Sequence, residues 1–235
     1  DMATYAALIE IMDDGIGRII DAFREKGNLD NTVFMFLSDN GSTLEGGYLG
    51  QLMADLSNTP YRSYKQWCYQ GGTSTPFILA YGDAARNKVK GGYCNQPAHV
   101  IDLLPTCVDL ALGVYPSGKF GHADLPGISL LPAIKNGELQ KRTLYFEHQS
   151  SCAVISDNWK LVRNDRNSPW ELINLDTDPF EQEDLSARYP ERVKTLEGEW
   201  NAWAESHKVF PLEDKPWHER IKYYKELNED QSGKE

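Results

Sequence analysis

Paired cysteines, basic charge and long apolar runs are all scarce in this chain. Its 235 residues hold four cysteines, Cys68, Cys94, Cys107 and Cys152. None sits in a C-x-x-C pair, so a structural zinc site of the usual spacing is not expected. Four scattered thiols in a chain this long do not make a disulfide scaffold; they read as small buried apolar residues, with one disulfide allowed. Lys and Arg number 24 against 35 Asp and Glu, a net charge of -11. Proteins that grip a phosphate backbone carry basic stripes, so no nucleic-acid partner is expected. No stretch approaches the roughly 18 apolar residues of a membrane span. The opening DMATYAALIE lacks the basic and apolar regions of a signal peptide.

A core, by contrast, is available, since 40% of the residues are hydrophobic. Tyr5, Leu8, Ile9, Met12, Ile16, Ile19, Ile20 and Phe23 recur at helical spacing and predict an amphipathic helix over about 3–26, closed by Gly27. NTVFMFL and PFILAY are apolar runs of strand length. Strands apolar on both faces suit a parallel sheet under helices. AHVIDLLPTCVDLAL reads as a helix with Pro105 near its first turn or at a kink, and His99 as a structural residue near its start. Residues 39–75, rich in glycine and aromatics, predict a long functional loop.

Gly and Pro from about 113 to 142 mark the passage to a smaller domain. There TLYFEH, CAVISD, WKLVR and WELINL predict a small antiparallel sheet. DLSARYPERVKTLEGEWNAWAESH predicts a final helix that lays Leu196, Trp200 and Trp203 on it, and the tail after Pro211 is polar. The expected fold class is α/β. Residues 1–142 form part of a large mixed or parallel sheet domain covered by helices, and 143–235 a small antiparallel sheet with a C-terminal helix.

Three features carry candidate chemistry. Asp39 and Asn40 stand at the carboxyl end of a strand, where ligands of open α/β sheets bind. Their oxygens are hard ligands for calcium or magnesium, and the same residues suit a turn that ends a strand. Lys65, three residues after Arg62, either aims cations at an anion or stands on the surface. His148 and Gln149, in EHQS, either contact substrate or cap a strand. His122, His207 and His218 are given no role.

In order and context these pieces resemble the second half of a sulfatase, in the alkaline phosphatase-like superfamily. ATYAALIEIMDDGIGRIIDAFREKGNLDNTVFMFLSDNG is similar to the helix and strand leading into that family's metal-binding Asp-Asn. SNTPYRSYKQWCYQGGTSTPFILAY is similar to the segment of its sulfate-binding lysine. HVIDLLPTCVDLA and WKLVRNDRNSPWELINLDTDPFEQEDLS resemble its later helix and C-terminal subdomain. The resemblance implies hydrolysis of a sulfate ester by a formylglycine nucleophile beside one calcium ion. It makes Asp39 and Asn40 metal ligands and Lys65 the holder of sulfate oxygens, with Arg62, His148 and Gln149 as candidate substrate contacts. The implied substrate is a sulfated sugar or an aryl sulfate, and the implied compartment is the periplasm or the exterior.

The sequence departs from the family at two points. It has no C/S-x-P-S/A-R motif, from which formylglycine is made. It also has Gln70 and Ser74 where many members have Glu and Arg. The expectation is therefore a C-terminal part, inactive alone, whose partner is a missing N-terminal half that supplies the nucleophile. A partial α/β domain exposes sheet edge and core surface, so association is expected too. A phosphoester or phosphonate hydrolase of the same superfamily, or a non-catalytic fragment that binds sulfated glycans, are the alternatives.

Overall fold

The computed structural model describes residues 2–44, 50–81, 91–114, 125–135 and 137–212. His122, His218 and the polar tail from residue 213 lie outside the described residues. Two units emerge: residues 1–37 with 76–140, and residues 38–75 with 141–235. The segment 38–75, assigned by sequence to the first domain, thus clusters with the C-terminal residues.

In the first unit, α1 spans Met2–Glu25, as its helical spacing predicts, and Gly27 closes it with φ +69, a left-handed value that glycine adopts without steric cost. Phe23 meets Phe34 edge-on at 5.6 Å. Most of the apolar stripe is uncovered by described residues: Tyr5, Leu8, Ile9, Met12 and Ile19 are all exposed. Strands β1 (Val33–Leu37) and β2 (Phe77–Tyr81) pair with each other, Val33 opposite Tyr81 and Leu37 opposite Phe77. The pair is antiparallel. The expectation of a parallel arrangement rested on both faces of these apolar runs being covered; the described residues leave β1 half-buried, with Phe36 and Ile78 exposed, and an apolar run carries no direction.

Farther along, a 3₁₀ turn at Val100–Asp102 leads into α4 (Leu103–Leu110). Pro105 sits in that helix's first turn, where no amide donor is required. His99 is structural, as expected. Its Nδ1 accepts from the Ile101 amide and its own amide donates to Asp102 Oδ2 at 2.7 Å, a reciprocal cap. A short helix, α5, follows at Leu131–Ile134.

In the second unit, residues 38–75 are less of a loop than their glycines suggest. They hold α2 (Gly50–Asn58) and one turn of helix, α3 (Gln70–Thr73). The small sheet has the order β3-β4-β5-β6, all antiparallel, with strands Thr143–His148, Ser151–Ser156, Trp159–Arg163 and Glu171–Asn174. The last helix, α6, spans Pro190–Ser206. It starts at Pro190 rather than at residue 184, because proline suits the first helical position and has no amide to give an earlier turn.

Side chains of period two give the sheet two buried faces. Cys152, Val154, Leu161 and Leu172 pack with Leu196, Trp200 and Ala204 of α6. The Trp200 ring nitrogen donates to the Phe146 carbonyl at 3.1 Å. Ala153, Val162 and Ile173, on the opposite face, pack with Cys68 and Tyr69 from the 38–75 segment. Of the four cysteines, Cys68 and Cys152 are buried as expected, whereas Cys94 and Cys107 are exposed; all four are free, so the allowed disulfide is not formed. Burial pushes the Cys68 thiol up to about 12.

Candidate functional site

The chain leaves β1 through a tight backbone knot. The Ser38 hydroxyl donates to the Asn40 carbonyl at 2.8 Å, and the Thr75 hydroxyl donates to the Ser38 carbonyl at 2.9 Å. The Gly41 amide donates to the Gly72 carbonyl at 3.0 Å. A Cβ at Gly41 would stand 1.7 Å from the Gly71 oxygen, and one at Gly71 would stand 2.0 Å from the Ser63 oxygen. Only glycine allows backbones so close.

Asn58, the last residue of α2, ties the knot together. Its Oδ1 accepts the Ser42 amide at 3.1 Å, and its Nδ2 donates to the Ser63 carbonyl at 2.9 Å and the Gly71 carbonyl at 2.8 Å. The Lys65 amide donates to the Ser42 carbonyl at 2.9 Å. The strand-end segment that carries Asp39 and Asn40 is therefore bonded directly to the segment that carries Lys65. Asp39 is exposed, and Asn40 and Lys65 are half-buried.

His148 and Gln149 end β3 and begin its hairpin. His148 Nδ1 lies 3.3 Å from the carbonyl of Gln66, the residue after Lys65. With the proton on Nδ1, that contact is a hydrogen bond and Nε2 is the ring's acceptor. Gln149 and Ser150 have φ +50 and +67, so the two-residue turn is left-handed without a glycine or asparagine. The Ser150 amide offsets part of that strain by donating to Glu147 Oε1 at 2.9 Å.

Arg62 is turned to the small sheet. Its guanidinium meets Glu171 of β6 at 2.6 and 3.2 Å and lies 4.0 Å over the Tyr69 ring. The Tyr69 hydroxyl donates to the same Glu171 oxygen, Oε1. Burial works against the Arg62 charge, but the bonds to Glu171 and nearby negative charge outweigh it and hold its pKa above the ordinary value. Burial pushes the Tyr69 phenol up, and the bond to Glu171 adds to this. The structure thus gives Arg62 a carboxylate partner inside the protein, and not an open anion pocket.

Several participants were missed by sequence reasoning. Asn58 looked like one more loop residue. Glu171 and Lys160 each carried a faint signal, a charge inside an otherwise apolar strand. The Lys160 and Glu181 side chains are both 0% exposed and form an ion pair, with Nζ 2.7 Å from Glu181 Oε1. Lys160 also donates to Gln70 Oε1 at 3.2 Å, and Glu181 Oε2 accepts the Gln70 amide at 2.7 Å. Burial lowers the Lys160 pKa, and Glu181 opposes that shift.

Metal-binding capacity can be judged from the donors. Asp39 and Asn40 offer the hard oxygens that calcium prefers, so they fit in kind. Calcium takes about six to eight such ligands. Among the described residues no three His, Cys, Asp or Glu side chains gather as a metal-holding group. Nor, among the described residues, is any helix long and apolar enough to cross a membrane.

The family model described as Sulfatase matches residues 1–114. A sulfatase of Formosa agariphila is 30% identical over 211 residues, covering 80% of this chain and 36% of that protein. An uncharacterized sulfatase of Schizosaccharomyces pombe is 27% identical over 241 residues, covering 85% of this chain and 42% of its own length. The chain thus spans well under half of these relatives. The crystal structure of Ps i-CgsB in complex with k-i-k-neocarrahexaose superimposes with a TM-score of 0.70 at 24% identity, over 91% of this chain and 44% of that one. That likeness carries the α/β fold, while the family match covers the Asp39–Asn40 and Lys65 segments together: the chain belongs to the sulfatase family.

Proposed function

We propose that this chain supplies the Asp39–Asn40 and Lys65 side of a site that hydrolyses sulfate esters. The observation that carries this reading is the bonding of the Lys65 amide to Ser42, two residues past Asn40, inside a chain of the sulfatase family. That bond and the Asn58 bridges hold a pair of hard oxygen ligands and a cation in fixed register. Lysine is a compact charge with three donors, suited to a sulfate oxygen and to charge that grows on it during cleavage. Asp39 and Asn40 would hold a calcium ion, and when bound it would supply Lewis-acid stabilisation and orientation for the anionic ester. His148, with Nδ1 engaged by Gln66, offers Nε2 to a substrate hydroxyl.

The local field of such a site, rather than the net charge of -11, governs an anionic substrate. The reading needs a nucleophile from outside these residues, since none of the four cysteines begins a C-x-P-S/A-R motif. It assigns a sulfated sugar or aryl sulfate as substrate, with formylglycine carried by a preceding segment. It also assigns the periplasm or exterior as the place of work, following the habit of the family.

The test is turnover by the full-length gene product of 4-nitrophenyl sulfate beside 4-nitrophenyl phosphate, with and without added calcium. Sulfate is expected to be the better substrate and calcium to raise the rate. Asp39→Ala and Lys65→Ala are each expected to lower kcat by about 10²–10³-fold, the scale of a lost charge-stabilising group. An unaltered rate in Asp39→Ala refutes the reading. Faster phosphate cleavage replaces it with a phosphoester hydrolase, and binding of sulfated glycan without turnover replaces it with a non-catalytic module.

A further inference from the structure

The small sheet faces the lysine-bearing segment with a largely apolar surface that carries a carboxylate and an ammonium, Glu171 and Lys160. Across the strands, Phe146, Ala153, Val162 and Glu171 share one row of the register, and Leu144, Ile155, Lys160 and Ile173 share another. Ala153, Val162 and Ile173 pack on Cys68 and Tyr69. A carboxylate and an ammonium in such rows are costly unless paired. Both find partners in the 62–70 segment. Glu171 takes both outer nitrogens of Arg62 and the Tyr69 hydroxyl. Lys160, with Glu181, takes the side chain and amide of Gln70. The sheet adds two further grips, the Ser151 hydroxyl on the Cys68 amide at 2.9 Å and His148 on the Gln66 carbonyl.

Lys65 lies between these anchors, after Arg62 and before Gln66, Cys68, Tyr69 and Gln70. We infer that Glu171 is a positioning residue for Lys65: by holding Arg62 on one side and Tyr69 on the other, it fixes the backbone from which the lysine projects. This inference rests on the reading of Lys65 as the sulfate-holding group. The two-bond fork matters because it fixes direction as well as distance, which a lone point charge does not. The C-terminal sheet then has a task at the reacting centre beyond any contact that His148, at the end of β3, makes with substrate.

Hydrogen exchange of the chain, read on peptides from residues 61–73 and 152–163, tests the clamp without any turnover. Glu171→Gln keeps the side chain's shape and removes its charge. It is expected to speed exchange in 61–73 by about tenfold, the loss of a charge-assisted bond, and to leave 152–163 unchanged. Arg62→Lys, which keeps the charge and loses the fork, is expected to do the same. No change in 61–73, or an equal rise in both regions, overturns the proposal.

In the full-length gene product, Glu171→Gln is expected to lower kcat on 4-nitrophenyl sulfate by about tenfold with KM nearly unchanged, as misplacement of a group needed in the transition state requires. Full turnover in Lys65→Ala refutes the role of the lysine and leaves the exchange result standing. A slow Lys65→Ala beside Glu171→Gln with parental kcat refutes the clamp and leaves the lysine's role standing.

Discussion

Replacing Lys160 by Met should unsettle the second unit more than any surface change, for a reason that can be put in numbers. Lys160 and Glu181 are both 0% exposed and 2.7 Å apart. Lys160→Met fills the space with an unbranched apolar chain but leaves the Glu181 carboxylate buried without its cation. Removing one partner of a buried ion pair costs about 3–5 kcal/mol. Domains are stable by about 5–15 kcal/mol, so a large share of the total is at stake. With a urea slope of about 1–3 kcal/mol/M, the midpoint should fall by at least about 1 M.

Tryptophan fluorescence is the natural readout, because Trp67, Trp159, Trp170, Trp200 and Trp203 all belong to the second unit. The double variant Lys160→Met with Glu181→Gln leaves no buried charge, and an amide oxygen at 181 can still accept from the Gln70 amide. It should recover most of the loss. A single variant within about 0.5 kcal/mol of the parent, or a double variant no better than the single, would refute the reasoning.

Two further outcomes follow from the geometry. Gly41→Ala places a Cβ 1.7 Å from the Gly71 oxygen, so the strand end must move away from the Lys65 segment. A displacement near 1 Å costs about 10²-fold in rate, and the full-length gene product should show that loss on 4-nitrophenyl sulfate while its circular dichroism stays native; a parental rate contradicts it. Cys68 has a folded pKa of about 12 against an ordinary 9.0, raised by burial. The folded chain therefore keeps a proton that the unfolded chain gives up, and this contribution, full below pH 9.0, is lost as pH climbs toward about 12. Cys68→Ala should flatten the alkaline loss of stability in urea melts across that window, and an unchanged slope argues against a buried thiol.

Much of the local structure was legible because local rules govern it. The 3.6-residue period of α1, the short strand-length runs TLYFEH and WKLVR in close succession, and Gly27 after the helix each specify an element without reference to the rest of the chain. Asp39, Asn40 and Lys65 could be named because their residue types, strand-end setting and order form a motif. Their assembly could not be named. Asn58 gives no sign that it bridges Ser42, Ser63 and Gly71. Arg62 and Glu171 are 109 positions apart, and Gln70 and Glu181 are 111 apart, separations at which sequence pattern says nothing.

Direction of pairing was also out of reach. The apolar run Val33–Leu37 shows that a strand forms there, but not its depth, since the described residues leave it half-buried with Phe36 exposed, and not its antiparallel partner, which is chosen by the fold. By itself the sequence determined most of the elements, the family and a short list of candidate residues, since these depend on residue type and near neighbours. Only the tertiary structure decided that Arg62 serves Glu171, that Lys160 is buried against Glu181, and that the Lys65 segment is held by the small sheet. Those outcomes depend on which faces meet once the chain has closed on itself.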